Sequence, residues 1–321
     1  MLIKVNQDWP DDLLLVNYEL HNVCNYRCWY CFPNSNTGTY KWPDYELSLM
    51  NFIHLLNYYK IHLNKTRFQI NLLGGEPTLW PKLSDFCKEL KQTFSDISIM
   101  ITTNGSKPLD WWYENYSYFD HILISCHPEY VNENHIISVA NLLYDHNKHV
   151  DTLVLMAPDY WDRALTIIEN LKSGKDWAII SSFVNQNKFT YSAEQLEYIN
   201  DYLKQRPDLE WYKKVKTEYH YSVHITDETG TYKVSKTHLL INELNQFIGW
   251  ECNIGIDNIT VTKNGDISGS CGEKLYQLDF KYNLYDINFK NNFSPTIKPA
   301  LCSQCRCFCE HEYNTSKHSN R

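Results

Sequence analysis

The 321-residue sequence predicts an α/β protein, with a parallel sheet flanked by helices over residues 1–190 and a small cysteine-rich α+β region over residues 191–321. Three observations carry this. Apolar, β-branched runs alternate with longer stretches of helical period between residues 12 and 183; glycine-containing turn motifs close several of those runs; and past Phe183 the rhythm breaks into polar, Tyr- and Lys-rich sequence.

The runs at residues 13–19, 68–73, 97–102, 121–125, 152–156 and 177–183 read as strands. Several are almost continuously apolar, which suits strands buried on both faces. Helical patterns fill the gaps. One begins at Pro43, a favoured first helical residue, and sets Leu49, Phe52, Ile53 and Leu56 at helical spacing. Others span residues 82–93, 134–145 and 161–172, the last closing ahead of Gly174. Six strand–helix units are too few for a closed eight-stranded barrel, which leaves an open three-quarter barrel or a doubly wound sheet. A further helix over residues 193–204 ends before Pro207, and residues 219–236 alternate about Glu228-Thr229-Gly230 as a hairpin does.

Hydrophobic and charged fractions of 43% and 21% argue against a disordered chain. A net charge of −8 leaves no broad basic surface, so nucleic acid is an unexpected partner. The sequence has no N-terminal apolar h-region and no apolar run of membrane-spanning length, so no membrane partner and a cytoplasmic location are expected. In that reducing setting eleven cysteines, odd in number and clustered, read as metal sites rather than disulfides.

Cys24-Asn25-Tyr26-Arg27-Cys28-Trp29-Tyr30-Cys31 follows the first strand. Three thiolates can hold three irons of a [4Fe–4S] cube and leave the fourth open to a small molecule. Zinc held by Cys24, Cys28, Cys31 and His21 is the alternative these residues leave open. Leu73-Gly74-Gly75-Glu76-Pro77 closes the second strand. Its glycines allow close backbone approach to a ligand and Glu76 offers an acceptor to an ammonium, although an ordinary turn would look the same. Thr102-Thr103-Asn104-Gly105 closes the third strand. Ligands in such folds bind at the carboxyl ends of strands, where all three motifs fall.

In kind, order and position these segments resemble the signatures of the radical S-adenosylmethionine (SAM) superfamily. The resemblance implies a partial (β/α)6 barrel, and a [4Fe–4S] cluster on Cys24, Cys28 and Cys31 whose open iron chelates the methionine part of SAM. It further implies an electron donor such as flavodoxin or ferredoxin; one electron then cleaves the sulfonium to a 5′-deoxyadenosyl radical. By the same resemblance Tyr30 packs beside the adenine, the segment Gly74, Gly75, Glu76, Pro77 binds the methionine amino group, and Thr103, Asn104 and Ser125 contact SAM. Met156 is a candidate adenine contact, with core packing the equal alternative. Cys126 is a candidate hydrogen-atom donor to a substrate radical, against the plain reading of a buried, inert thiol. His127 reads as a base or, more simply, as a polar residue opening the Pro128 turn, and Cys87 as core.

Cys252 precedes a short strand at residues 258–262, and a turn at 263–266 returns the chain to Cys271; Cys302, Cys305, Cys307 and Cys309 follow. This arrangement resembles the auxiliary-cluster domains called twitch and SPASM. Six cysteines and their final spacings suit one extra [4Fe–4S] cluster on four of the six, Cys252 and Cys271 foremost; a four-cysteine zinc site is the alternative. The expected function is hydrogen abstraction from a small polar metabolite, such as a sugar or nucleotide, followed by oxidation. A barrel that begins within about the first dozen residues leaves no N-terminal peptide-binding module, which favours this reading. Peptide or protein modification, as a maturase or epimerase, is the second reading. A non-enzymatic iron–sulfur or zinc module is the third.

Overall fold

The computed structural model describes residues 2–5, 9–31, 36–39, 42–183, 190–205, 223–228, 230–234, 244–269, 281–303 and 315–319. The chain opens with β1 (Leu2–Val5) and β2 (Leu13–Glu19), followed by α1 (Tyr45–Leu63). The helix begins later than Pro43 suggests, because Asp44 caps it: its Oδ1 accepts from the Leu47 amide at 2.8 Å. Then come β3 (Arg67–Leu73), α2 (Leu83–Thr93), β4 (Ile97–Thr103), the short α3 (Leu109–Asn115), β5 (His121–Cys126), α4 (Glu133–Asp145), β6 (His149–Met156), α5 (Trp161–Leu171), β7 (Ala178–Phe183) and α6 (Ala193–Gln205). Past these lie the hairpin β8 (Val223–Asp227) and β9 (Gly230–Val234), β10 (Glu251–Cys252), β11 (Asn258–Val261), β12 (Ile267–Ser268), α7 (Phe289–Asn292), β13 (Ala300–Leu301) and β14 (Lys317–His318).

The expected α/β class and parallel sheet are present. An eight-stranded sheet runs β12-β11-β2-β3-β4-β5-β6-β7, parallel throughout from β11 to β7, with β12 antiparallel at its edge. Right-handed crossovers through helices are the standard way to join parallel neighbours, which accounts for the strand–helix alternation. On one face Val16, Ile70, Ile101, Ile122, Ile124 and Val154 pack with helix residues such as Phe52, Phe86 and Ile167 in one large core. The other face is the interior of the partial barrel. Trp9, Leu13 and Leu15 form a small separate cluster at the end where β2 begins.

A six-stranded antiparallel sheet, β13-β10-β14-β1-β8-β9, makes the second layer. A cut at residue 190 divides neither sheet cleanly. β1 pairs with β8 and β14, while β11 extends the barrel sheet beside β2. Local pattern could not reveal either pairing, since both join segments more than two hundred residues apart. The C-terminal segment also docks on α1: Tyr59 donates to the Gly255 carbonyl at 2.7 Å, Tyr58 to that of Pro295 at 2.6 Å, and Asn51 to that of Leu284 at 2.7 Å. Beneath them a buried ion pair joins Lys65 Nζ to Asp257 Oδ1 at 3.1 Å, while Asp257 Oδ2 accepts from Ser316. No described helix is long and apolar enough to cross a membrane.

Candidate active site

A cavity of about 530 Å³ opens at the carboxyl ends of the barrel strands. The β2–α1 loop contributes Cys24, Cys28 and Cys31; the end of β3 contributes Gly74, Gly75 and Glu76. Thr103 and Asn104 enter from the end of β4, and Ser125 and His127 from β5 and the turn beyond it. None of the three cysteines is tied up in a disulfide. Cys24 accepts from the Tyr26 amide at 3.3 Å, and Cys28 Sγ lies 3.2 Å from His127 Nδ1. Burial, then the nearby Glu129 carboxylate, pushes the Cys28 thiol up to about 12. Burial also raises Cys24.

Besides lining the cavity, the two glycines let backbone meet backbone. A Cβ on Gly74, whose φ is +125°, would sit 2.4 Å from the His21 carbonyl oxygen, and one on Gly75 would sit 2.2 Å from that of Val23. The Gly75 amide donates to His21 at 2.7 Å and the Glu76 amide to Val23 at 2.8 Å. The glycine segment is thus laced backbone to backbone onto the cysteine loop, which only residues lacking Cβ permit.

Glu76 is fully inside. Its Oε1 accepts from the Thr78 amide (3.1 Å), the Thr78 hydroxyl (2.6 Å) and the Thr103 hydroxyl (2.7 Å), and its Oε2 from the Asn104 amide (2.6 Å). Burial raises its pKa, against the pull of these donors. Glu76 therefore ties the second motif to the third. Asn104 in turn donates to Asn25 at 2.8 Å, and Asn25 to Ser106 at 2.9 Å, which closes the triangle back to the cysteine loop. Pro77 does not line the cavity; it is buried and starts a short 3-10 turn.

Three expected residues lie elsewhere. Side chains alternate across a strand, so Ser125 facing the cavity turns Cys126 to the opposite face. There it is fully buried in the large core with Ile122 and Ile124, burial pushing its thiol up to about 12. Cys126 is thus not among the residues that line the cavity. Met156 packs in the same core rather than in the cavity, its carbonyl accepting from Tyr191 at 3.0 Å. Tyr30 stands beside the cavity wall, donating to Glu129 Oε2 at 2.6 Å and stacked on His127 with centroids 5.9 Å apart. Cys126→Ala should accordingly leave SAM cleavage intact while lowering Tm through a lost buried contact, about 1 kcal/mol. An inactive but folded Cys126→Ala protein would contradict this placement.

Sequence reasoning named His21 only as a zinc alternative and did not single out Glu19, Asn36 and Lys263, which also line the cavity. Lys263 comes from the turn after β11, 4.0 Å from Glu19, and no local pattern announces that contact. Burial pushes His21 down to about 4 and His127 likewise to about 4, so both rings are neutral near pH 7. His127 is open to the cavity reading from sequence because it follows a strand that ends beside Ser125.

Of the C-terminal cysteines, Cys252 and Cys302 are buried. Cys252 pairs with Ala300, and the Cys302 amide donates to the Trp250 carbonyl at 2.8 Å, which sets the two thiols diagonally on one face of the ribbon. Cys271, Cys305, Cys307 and Cys309 lie outside the described residues.

The family model described as Radical SAM superfamily matches residues 18–179, about half of the chain. The chain belongs to the radical SAM superfamily and is a radical SAM enzyme; membership implies a [4Fe–4S] cluster and SAM. A relative in Flammeovirga pacifica, an S-adenosylmethionine-dependent nucleotide dehydratase, is 27% identical over 268 residues, 68% of this chain and 88% of that enzyme. The GTP 3′,8-cyclase of Campylobacter jejuni (strain RM1221) is 39% identical over 85 residues, 26% of this chain and 24% of that enzyme. Among solved structures, native anSMEcpe with bound AdoMet shares the fold at a TM-score of 0.54 and 17% identity, over 88% of this chain and 80% of that one.

Proposed function

We propose that the chain cleaves SAM at a cluster held by Cys24, Cys28 and Cys31 and abstracts hydrogen from a small polar substrate of the nucleotide class. The three reduced thiols fit a cluster by chemistry and place. The bound cofactors supply one-electron cleavage and a carbon radical. The chain's own residues do the rest. The Gly74–Gly75 lacing fixes the loop that carries the thiols, Glu76 fixes the segment carrying Thr103 and Asn104, and Ser125 and Asn104 offer polar contacts to SAM. Cys252 and Cys302 are two of the ligands of a second [4Fe–4S] cluster in this reading, in a twitch-like C-terminal region.

The observation that carries the substrate class is a buried amide ladder on the barrel's inner face. Gln69 donates to Asn71 at 2.7 Å, Asn71 to Asn17 at 3.0 Å, and Asn17 to Asn258 at 3.1 Å. Alternation places Asn17 and Asn71 on the same faces as the cavity residues Glu19 and Leu73. The ladder ends in a buried acceptor, Gln69 Oε1, and a buried donor, Asn258 Nδ2, neither with a partner. Such groups cost free energy unless a ligand or water answers them, and a nucleotide, with donors and acceptors spread along its length, offers complements to them. Lys263 at the rim adds a cation for a phosphate. The nucleotide dehydratase relative, similar over most of both chains, supports the same class.

With dithionite and SAM, 5′-deoxyadenosine formation should rise on adding a nucleoside triphosphate. Asn17→Leu, which breaks the ladder in its middle, should raise the nucleotide KM about tenfold or more, one to two lost buried hydrogen bonds at ~1 kcal/mol each, and leave SAM binding unchanged. Stimulation by peptides with none by any nucleotide would overturn the reading.

A further inference from the structure

A second cluster of donor side chains occupies the opposite end of the barrel from the cysteines. His121 opens β5 and His149 opens β6, and the two are register partners. Asp151 lies two residues on from His149, so it shares that face, opposite Leu123 of β5. Ser125 is on this same face, and His121 lies roughly 13 Å below it at about 3.3 Å per residue. His121 Nε2 is 2.8 Å and His149 Nε2 2.9 Å from one oxygen, Asp151 Oδ2, with ring centroids 4.2 Å apart. Among the described residues this is the one group of three or more His, Cys, Asp or Glu side chains whose donor atoms all lie within 4.8 Å.

Two features of the cluster call for a cation. Asp151 is 1% exposed, and its Oδ1 is buried with no hydrogen-bond partner. A buried carboxylate with an unanswered oxygen is costly. Its other oxygen, Oδ2, has both imidazole Nε2 atoms converging on it, at 2.8 and 2.9 Å. Two imidazoles and a carboxylate are a common donor set for zinc and ferrous iron.

We propose that His121, His149 and Asp151 bind one divalent transition-metal ion of the zinc class, as a metal centre separate from every cysteine. Zinc bonds of about 2.0–2.1 Å set tetrahedral ligand edges near 3.3 Å. The present nitrogen–oxygen separations need only open by about half an ångström. With the ion bound, each imidazole presents its Nε2 lone pair and carries its proton on Nδ1. The three protein ligands leave a fourth position for water, and the 19% exposure of the His149 side chain provides the way in. The ion pins β5 to β6 at their first residues.

The test uses full-length chain carrying Cys24→Ala, Cys28→Ala and Cys31→Ala, stripped with chelator under anaerobic conditions and titrated with cobalt(II). The expected spectrum includes a d–d component without thiolate-to-cobalt charge transfer, and zinc competes for it. Adding His149→Ala, a partly exposed position that should fold normally, removes one equivalent of bound cobalt and that component; Asp151→Asn, which keeps the side-chain shape, does the same. Cobalt bound in equal amount and with the same spectrum in both of these variants overturns the proposal. So does binding that shows thiolate charge transfer throughout. Neither result bears on the SAM cavity, whose cysteines are absent from the test protein.

Discussion

Replacing Cys24, Cys28 and Cys31 together by alanine should reduce anaerobically reconstituted protein from about eight irons to about four and abolish 5′-deoxyadenosine formation. The β2–α1 loop that bears them is held on several sides, with Tyr30 hydrogen-bonded to Glu129 and Tyr26 stacked on Tyr130. It is also laced to the glycine segment by hydrogen bonds from the Gly75 and Glu76 amides to the His21 and Val23 carbonyls, and to the β4 end through Asn25. Burial raises Cys24 and Cys28, so the unligated thiols are protonated, and cluster assembly must release their protons to form thiolates. The loss should therefore be complete rather than graded, because no other described thiol lines the cavity. Retained iron at the wild-type level, or zinc in place of iron, would refute the ligand assignment. Four irons remaining in the triple variant would at the same time support a second cluster that includes Cys252 and Cys302.

Gly75→Ala should be nearly as damaging although it removes nothing chemical. The new methyl would meet the Val23 carbonyl oxygen at 2.2 Å, its carbon at 2.6 Å and the Asn22 carbonyl carbon at 2.8 Å. All three are backbone atoms of the cysteine loop, so no side chain can rotate away. One loop must move, at a cost of about 1–3 kcal/mol as in other overpacked sites. Both loops carry cavity residues, and displacing either misplaces thiols against Glu76 and Asn104. Binding of SAM should weaken at least tenfold by calorimetry, with a lowered Tm. Wild-type affinity and Tm in Gly75→Ala would show that the lacing is incidental.

The sequence made the barrel legible because its strands and helices are defined by local period. Runs such as residues 13–19 and 97–102 announce themselves, and the three motifs fall at strand ends where the cavity forms. Position within a strand is also readable, and it corrects one expectation. Once Ser125 is given to the cavity, alternation alone sends Cys126 to the helices. The long-range parts had no such signal. β11 is four residues long and polar at Asn258 and Thr260, so its place beside β2 follows from pairing and not from composition. The role of Glu76 as a strut needed the Thr103 and Asn104 donors to be seen in place, because a carboxylate after two glycines looks equally suited to a ligand.

The pairing of β1 with β8 and β14 has a bearing on how the molecule comes to exist. Val5 is in register with both Val223 and Lys317. During synthesis at about 5–20 residues per second, the first strand must wait tens of seconds for a partner. β2 likewise lacks its outer neighbour until residue 258 and beyond has emerged. Contacts of such sequence separation are slow to close, and unpaired strand edges attract other chains in the interval. Amino-terminal and carboxyl-terminal fragments should thus aggregate when made alone, each leaving strand edges that its missing half would have paired.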